Sequence, residues 1–209
     1  MRVLVVGGSG FLGREVCRRG IAAGWGVVGT CHSGEVGVAG VGVRRLDVTD
    51  RAAVVDLVAA VRPDAVVATP YRYGDWGVTA DGAAHVAYAA ARVGARLVHI
   101  SSDALHAGRP EAYADDDPPT PIFPYGAAKA AAETAVRALD PGAVLVRTSL
   151  ILGRGASRSS SAGRPWPVGR PCSPTSCVAR STSVISPPPC WSWWTPMSPA
   201  RSTWQARTR

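Results

Sequence analysis

Short aliphatic runs alternate with stretches of helical periodicity along the first three quarters of the chain. Val3-Leu4-Val5-Val6 is a continuous apolar run that stops abruptly at glycines, as expected of a strand buried on both faces of a parallel sheet. Residues 11–23 carry apolar side chains at Phe11, Leu12, Val16, Ile21 and Ala22 and predict a helix. Residues 27–30 predict a second strand and 41–46 a third, closing at Asp47. Thr49 or Asp50 can cap a helix that runs to Val61, with Val54, Leu57 and Val61 at helical spacing. Residues 65–68 predict a fourth strand, 81–93 an alanine-rich helix, and 96–100 a fifth strand ending in Ser101-Ser102-Asp103. A proline-rich, acidic loop over 111–124 leads into a helix over 126–139, and 143–152 predict a sixth strand. This alternation implies an α/β fold, a doubly wound parallel sheet with right-handed crossovers.

Composition divides the chain in two. Its 209 residues are 46% hydrophobic, enough for one domain with a real core. The formal charge of +8, taken whole, points to an anionic partner. Residues 1–153, however, carry 15 basic and 15 acidic side chains, whereas residues 154–209 carry 8 Arg and no Lys, Asp or Glu. The body is neutral and gives no reason to expect a nucleic-acid partner. The opening aliphatic run is too short for a secretory signal, and no stretch approaches the roughly 18 apolar residues of a membrane span. Cys17 and Cys31 are isolated, and Cys172, Cys177 and Cys190 fit neither a zinc spacing nor a disulfide framework. The expectation is a reduced, cytoplasmic setting with no metal and no membrane.

The candidate chemistry begins at Gly7-Gly8-Ser9-Gly10-Phe11-Leu12-Gly13, between the first strand and the first helix. Gly7, Gly10 and Gly13 satisfy G-x-x-G-x-x-G, and Gly8, Gly10 and Gly13 satisfy G-x-G-x-x-G. Such a loop turns sharply, brings bare backbone to a pyrophosphate and lets helix and strand approach closely. The helix N-terminus adds free N–H groups and a positive dipole. With strand and helix in this order the loop points to a dinucleotide site of Rossmann type, a tight turn without ligand being the alternative. At the end of the second strand, where an acid would bind the ribose 2′-OH of NAD, stands Gly29-Thr30-Cys31-His32-Ser33, with no acid until Glu35. His32 and the hydroxyls favour NADP as cofactor, with NAD possible and a solvated loop histidine as the alternative. Asp47 and Val48 are placed to meet the adenine.

Tyr125-Gly126-Ala127-Ala128-Lys129 sits where a loop enters a helix, and i, i+4 spacing puts phenol and ammonium on one face. A neighbouring Lys⁺ is expected to lower the phenol's pKa from its ordinary value of about 10, so that it exchanges protons near neutrality. Lys129 can also hold the nicotinamide ribose. Ser102, at the end of the fifth strand, adds a hydroxyl for the substrate oxygen.

Through Gly7–Gly13, Ser101-Ser102-Asp103 followed by Gly108, residues 119–124, Tyr125–Lys129 with Glu133, and Arg147-Thr148-Ser149, the chain resembles the extended short-chain dehydrogenase/reductase family. More narrowly it resembles the dTDP-4-dehydrorhamnose reductases. The resemblance covers about the first 153 residues. It implies that Tyr125, Lys129 and Ser102 form the catalytic set, and that Gly10, Phe11, Leu12, Asp47 and Val48 touch the cofactor. It further implies that Ser102 and Asp103 face a nucleotide-sugar substrate, and that hydride from NADPH or NADH reduces a keto-sugar carbonyl. Two segments depart from the pattern. Ala104-Leu105-His106 replaces the usual aromatic pair, and Ala68-Thr69-Pro70-Tyr71 replaces the usual Asn-Ala-Ala, leaving Thr69, Pro70 and Tyr71 along the cofactor. Both departures bear on the sugar more than on the reduction. A nucleotide-sugar epimerase or dehydratase and a non-catalytic NADP-binding regulatory protein remain the alternatives.

Residues 154–209 hold 12 Ser, 9 Pro, 8 Arg and 5 Trp, with no Leu, Phe or Tyr, where average usage gives roughly fourteen charged residues of both signs. Three readings compete: a disordered basic tail, a nucleic-acid-binding arm, and an out-of-frame translation of the 3′ part of the gene. Regrouping GC-rich codons in the shifted frame yields acids and an amphipathic stretch, GDLAAAVLELV, similar to the family's downstream region. That favours the third reading. Loss of the in-frame segment would leave the catalytic pair without most of its substrate pocket and impair the product.

Overall fold

In the computed structural model the described residues are 1–151. The readings for residues 154–209, and the expected end of the sixth strand at Leu152, lie outside them. The elements are β1 (Arg2–Val6), α1 (Phe11–Ala22), β2 (Gly26–Cys31), β3 (Gly42–Arg45), α2 (Arg51–Val61), β4 (Ala65–Ala68), α3 (Gly82–Val93), β5 (Arg96–Ser102), α4 (Pro124–Leu139) and β6 (Val144–Thr148). The six strands form one sheet in the order β3-β2-β1-β4-β5-β6, and every neighbouring pair is parallel. The strand order reverses between β1 and β4, so the crevice beyond their carboxyl ends is where a doubly wound sheet takes a ligand.

The aliphatic run of β1 is buried because its two faces meet different layers. Leu4 and Val6 pack with Val54 and Val58 of α2 and with Val86, Ala87 and Ala90 of α3, and α4 joins this layer through Ala132 and Val136. Val3 and Val5 pack on the opposite side with Cys17 of α1 and with Val27 and Cys31 of β2. Of the two candidate caps for α2, Asp50 is the one used: its carboxylate accepts from the Ala53 N–H at 3.0 Å. Among the described residues no helix is long and apolar enough to cross a membrane.

Four elements differ from expectation. Strand β6 ends at Thr148 rather than at 152, with 149–151 outside the sheet. Strand β3 is shorter, exposed throughout and the sheet's edge, so its apolar pattern is weak. Helix α3 is preceded by a π-helical turn, Gly77–Asp81. Helix α4 starts at Pro124 rather than 126, because proline is tolerated in the first turn, where its missing N–H is not needed. That places Tyr125 inside the helix.

The loop from β1 to α1 depends on close approaches. Gly7 has φ +81°, and a Cβ there would stand 2.6 Å from Thr69 Oγ1. A Cβ on Gly13 would fall inside the van der Waals shell of the Gly7 carbonyl. Gly13→Ala is therefore expected to push α1 off the loop, lowering stability by about 1–3 kcal/mol; a melt followed by circular dichroism within a degree of the parent's would contradict this.

Candidate active site

The carboxyl ends of β1 and β4 converge as the strand order requires. Thr69, directly after β4, donates from its hydroxyl to the Val6 carbonyl at 2.8 Å and to that of Gly7 at 3.2 Å. The Gly7 N–H donates to Thr30 Oγ1 of β2 at 3.0 Å. Gly7 is thus pinned from both neighbouring strands, with Pro70 packed against it. Gly10 caps α1 without any side-chain hydrogen bond, and the first turn holds no acid. The initial N–H groups of a helix have no partners within it, and a Cβ on Gly10 would meet only the Gly7 carbonyl, at 3.3 Å. This is bare backbone with a positive helix end, and it fits a pyrophosphate. Phe11 stands half-exposed at the helix start.

Beyond β2, the expected His32 lies 3.6 Å from the Asp47 carboxylate, both on the surface. Thr49 donates to Asp47 from its hydroxyl at 2.7 Å and its N–H at 2.9 Å, and these bonds hold the carboxyl below its ordinary range. The carboxylate beside the end of β2 thus comes from beyond β3. The Val48 side chain is buried in the core, and its carbonyl meets His85 Nδ1 at 2.9 Å.

The candidate proton-transfer residues gather at the end of β5. Ser102 lies close enough to the Tyr125 phenol to favour its ionised form, and its hydroxyl oxygen accepts from the Ala104 N–H at 3.2 Å. Asp103 lies beside it, with its carboxylate 3.3 Å from Ser102 Oγ. Lys129, 2% exposed, donates to the Ile100 carbonyl at 2.8 Å, with its ammonium 5.9 Å from the centre of the Tyr71 ring. Burial pushes its pKa down to about 8, against the opposing pull of Glu133.

The expected lowering of the Tyr125 pKa by Lys129 is not what the structure shows. Burial pushes the phenol above its ordinary value, Tyr73, Tyr71 and Asp103 add to this, and only Ser102 works the other way. The i, i+4 spacing does place both groups on one helix face, but the ammonium turns to a main-chain carbonyl and the phenol ring lies against Tyr71 and Tyr73.

Two further contacts hold α4 in place. A Cβ on Gly126 would overlap the Ala104 carbonyl, so glycine lets the helix seat against the short 3₁₀ turn after β5. One turn beyond Lys129, the buried Glu133 pairs with Arg147 of β6 at 2.9 and 3.1 Å. Arg147 also donates to the Asp115 and Asp117 carbonyls at 3.3 and 3.2 Å, tying down the acidic loop. Gly126 was visible in the sequence as a glycine inside a helical pattern. His99 was not: it is 1% exposed with both ring nitrogens unpartnered, and no local pattern marks it.

The sequence profile of the RmlD substrate binding domain family matches residues 1–161. The chain is 36% identical over 176 residues to a dTDP-4-dehydrorhamnose reductase of Streptomyces griseus, covering 74% of this chain and 51% of that protein. It is 31% identical over 171 residues to methionine adenosyltransferase 2 subunit beta of Rattus norvegicus, covering 73% and 47%. A crystal structure of dTDP-4-dehydrorhamnose reductase from Bacillus anthracis in complex with NADP is similar at a TM-score of 0.60 and 29% identity, covering 71% and 53%. The chain spans about half the length of the curated relatives it matches.

The buried histidine makes stability depend on pH. Burial, with Lys129 adding, takes the His99 pKa from 6.5 down to about 3. Between those values the unfolded chain binds a proton that the native state refuses. Stability is thus full above the unfolded value and falls as pH drops towards the folded one, by up to roughly 1.4 kcal/mol per pH unit. Melting temperatures measured from about pH 7 to about pH 5 are expected to fall, with a shallower slope in His99→Leu. Equal slopes in the two chains would contradict the assignment.

Proposed function

The chain belongs to the RmlD substrate binding domain family, and we propose that it is a nicotinamide-dependent reductase of a keto-sugar nucleotide, impaired in turnover as written. The observation that carries this reading is Tyr125 and Lys129 one turn apart on α4, next to Ser102 at the end of β5, beside a glycine loop that fits a pyrophosphate. Bound there, NADPH or NADH supplies a hydride. Gly7, Gly10 and Gly13 admit the phosphates, and the N–H groups of Phe11, Leu12 and Gly13 face them. Lys129 has donors left after its bond to Ile100 and holds a ribose hydroxyl. Thr69 and Pro70 shape the loop's far wall, and Tyr71 flanks Lys129.

Ser102 orients the carbonyl, Asp103 lies on the sugar side, and Tyr125 gives its proton to the oxygen. A phenol kept neutral by burial suits that step, because the oxygen formed on reduction is a far stronger base than a phenolate. A second reading, a non-catalytic dinucleotide-binding subunit, draws on the similarity to methionine adenosyltransferase 2 subunit beta. The presence of Ser102, Tyr125 and Lys129 together speaks for chemistry. The impairment rests on the out-of-frame reading of residues 154–209, which leaves the sugar without most of its pocket.

Consumption of NADPH with a dTDP-4-keto-sugar tests the proposal on the chain as written and on one with residues 154–209 restored to the shifted frame. The restored chain is expected to turn over faster, and Tyr125→Phe to lower its rate about 10²- to 10⁴-fold. Full activity in Tyr125→Phe would refute the assignment, and dinucleotide binding without turnover in either chain would favour the subunit reading.

The His32–Asp47 pair governs the adenosine end. His32 favours a 2′-phosphate, while Asp47 is available to a 2′-hydroxyl. His32→Ala is expected to weaken NADPH binding about fivefold, roughly 1 kcal/mol for an exposed charge contact, while leaving NADH unchanged. Fluorescence titration reads both, and equal losses for the two dinucleotides would remove His32 from the site.

A further inference from the structure

The loop after β4 carries two tyrosines that the glycine loop and the Tyr–Lys pair do not account for. It is short and well anchored. Thr79, 1% exposed, donates from its hydroxyl to the Arg72 carbonyl at 2.9 Å and accepts from the Arg72 N–H at 3.0 Å. The Asp75 carboxylate accepts from the Val78 N–H at 3.0 Å and lies 3.6 Å from the Arg72 guanidinium. Gly74, at φ +74°, turns the chain between them. The backbone on either side of Arg72 is thereby fixed, and Tyr71 and Tyr73 are presented together towards α4.

Their rings meet that of Tyr125. The Tyr73 ring lies 4.4 Å from it, centre to centre, tilted by 43°. Tyr71 stands edge-on to both, at 5.7 Å from Tyr73 and 5.9 Å from Tyr125. Tyr71 and Tyr73 are each about half exposed, so they shield Tyr125 while remaining in water themselves. Aromatic pairs at such distances are attractive beyond the area they bury, and the Tyr73 contact lies on the reacting ring itself.

We propose that Tyr73 is a positioning residue for Tyr125: its ring lies over the phenol ring, holds it towards Ser102 and keeps water from it, so that Tyr125 meets a carbonyl as a neutral proton donor. The inference rests on the role of Tyr125 proposed above. The electrostatics agree with the geometry, since Tyr73 follows burial among the influences that raise the Tyr125 phenol. Tyr71 touches both groups, standing 5.9 Å from the Tyr125 ring and 5.9 Å from the Lys129 ammonium.

Nitration by tetranitromethane proceeds through the phenolate, and peptide mass spectrometry assigns it to individual tyrosines. On the full chain at about pH 8, Tyr125 is expected to react far more slowly than Tyr71. Tyr73→Ala should raise the Tyr125 rate about tenfold, the equivalent of one pKa unit, while Tyr73→Phe, which keeps the covering ring, should raise it by a smaller factor. The rate at Tyr113, which lies against His106 and Arg109 outside the ring cluster, serves as the internal reference. An unchanged Tyr125 rate in Tyr73→Ala, with a melt like the parent's, would overturn the proposal. If Tyr73→Ala does not fold, Tyr73→Leu is judged by the same criterion. This readout needs no turnover, so loss of the reductase reading and loss of this one are separable: activity with a flat nitration rate removes only Tyr73's role, and a tenfold rise without activity removes only the reductase.

Discussion

Helix α4 is seated against the carboxyl-terminal half of β5 by contacts at positions 126, 129 and 133, three and four residues apart and so on one helix face. At the first, the absence of a side chain on Gly126 lets the backbone lie against the Ala104 carbonyl. At the second, Lys129 reaches the Ile100 carbonyl. At the third, Glu133 meets Arg147 from the adjoining strand β6. Everything chemical in the molecule is arranged around this seam, because Tyr125 is one residue from its upper end and Ser102 lies at the end of the strand it covers.

The seam is polar and buried, an arrangement that costs stability unless each group is matched. Glu133 is matched by Arg147, and that arginine in turn gathers main-chain carbonyls of the acidic loop leading back to Pro124. The ion pair that holds α4 to the sheet therefore also orders the segment delivering the chain into α4. Burial has a second effect here. It lowers the proton affinity of Lys129 and raises that of Tyr125, so both are driven towards neutral forms. A neutral phenol is the form that can donate a proton.

At the opposite end of the crevice the design is main chain rather than side chain. The glycine loop is shaped by contacts from β2 and β4, through Thr30 and Thr69, so the phosphate cradle depends on strands distant in sequence. In the loop following Thr69, Tyr71 and Tyr73 bring aromatic surface to Tyr125 and Lys129.

The sequence by itself determined the strand–helix alternation, the parallel sheet, the glycine loop and the shared face of Tyr125 and Lys129, because each is written in spacing between near neighbours. It located Ser102 and Asp103 by their place at a strand end. Only the tertiary structure decided that the acid beside His32 is Asp47, from beyond another strand, that Val48 turns into the core, and that His99 lies unpartnered beneath the site. It also reversed the expected direction for Tyr125. Spacing reported a cation nearby, but a pKa follows the sum over all surroundings, and the covering rings and buried walls come from β4, β5 and α4 at once. Local order is encoded locally; burial, and the proton affinities that follow from it, exist only once distant segments meet.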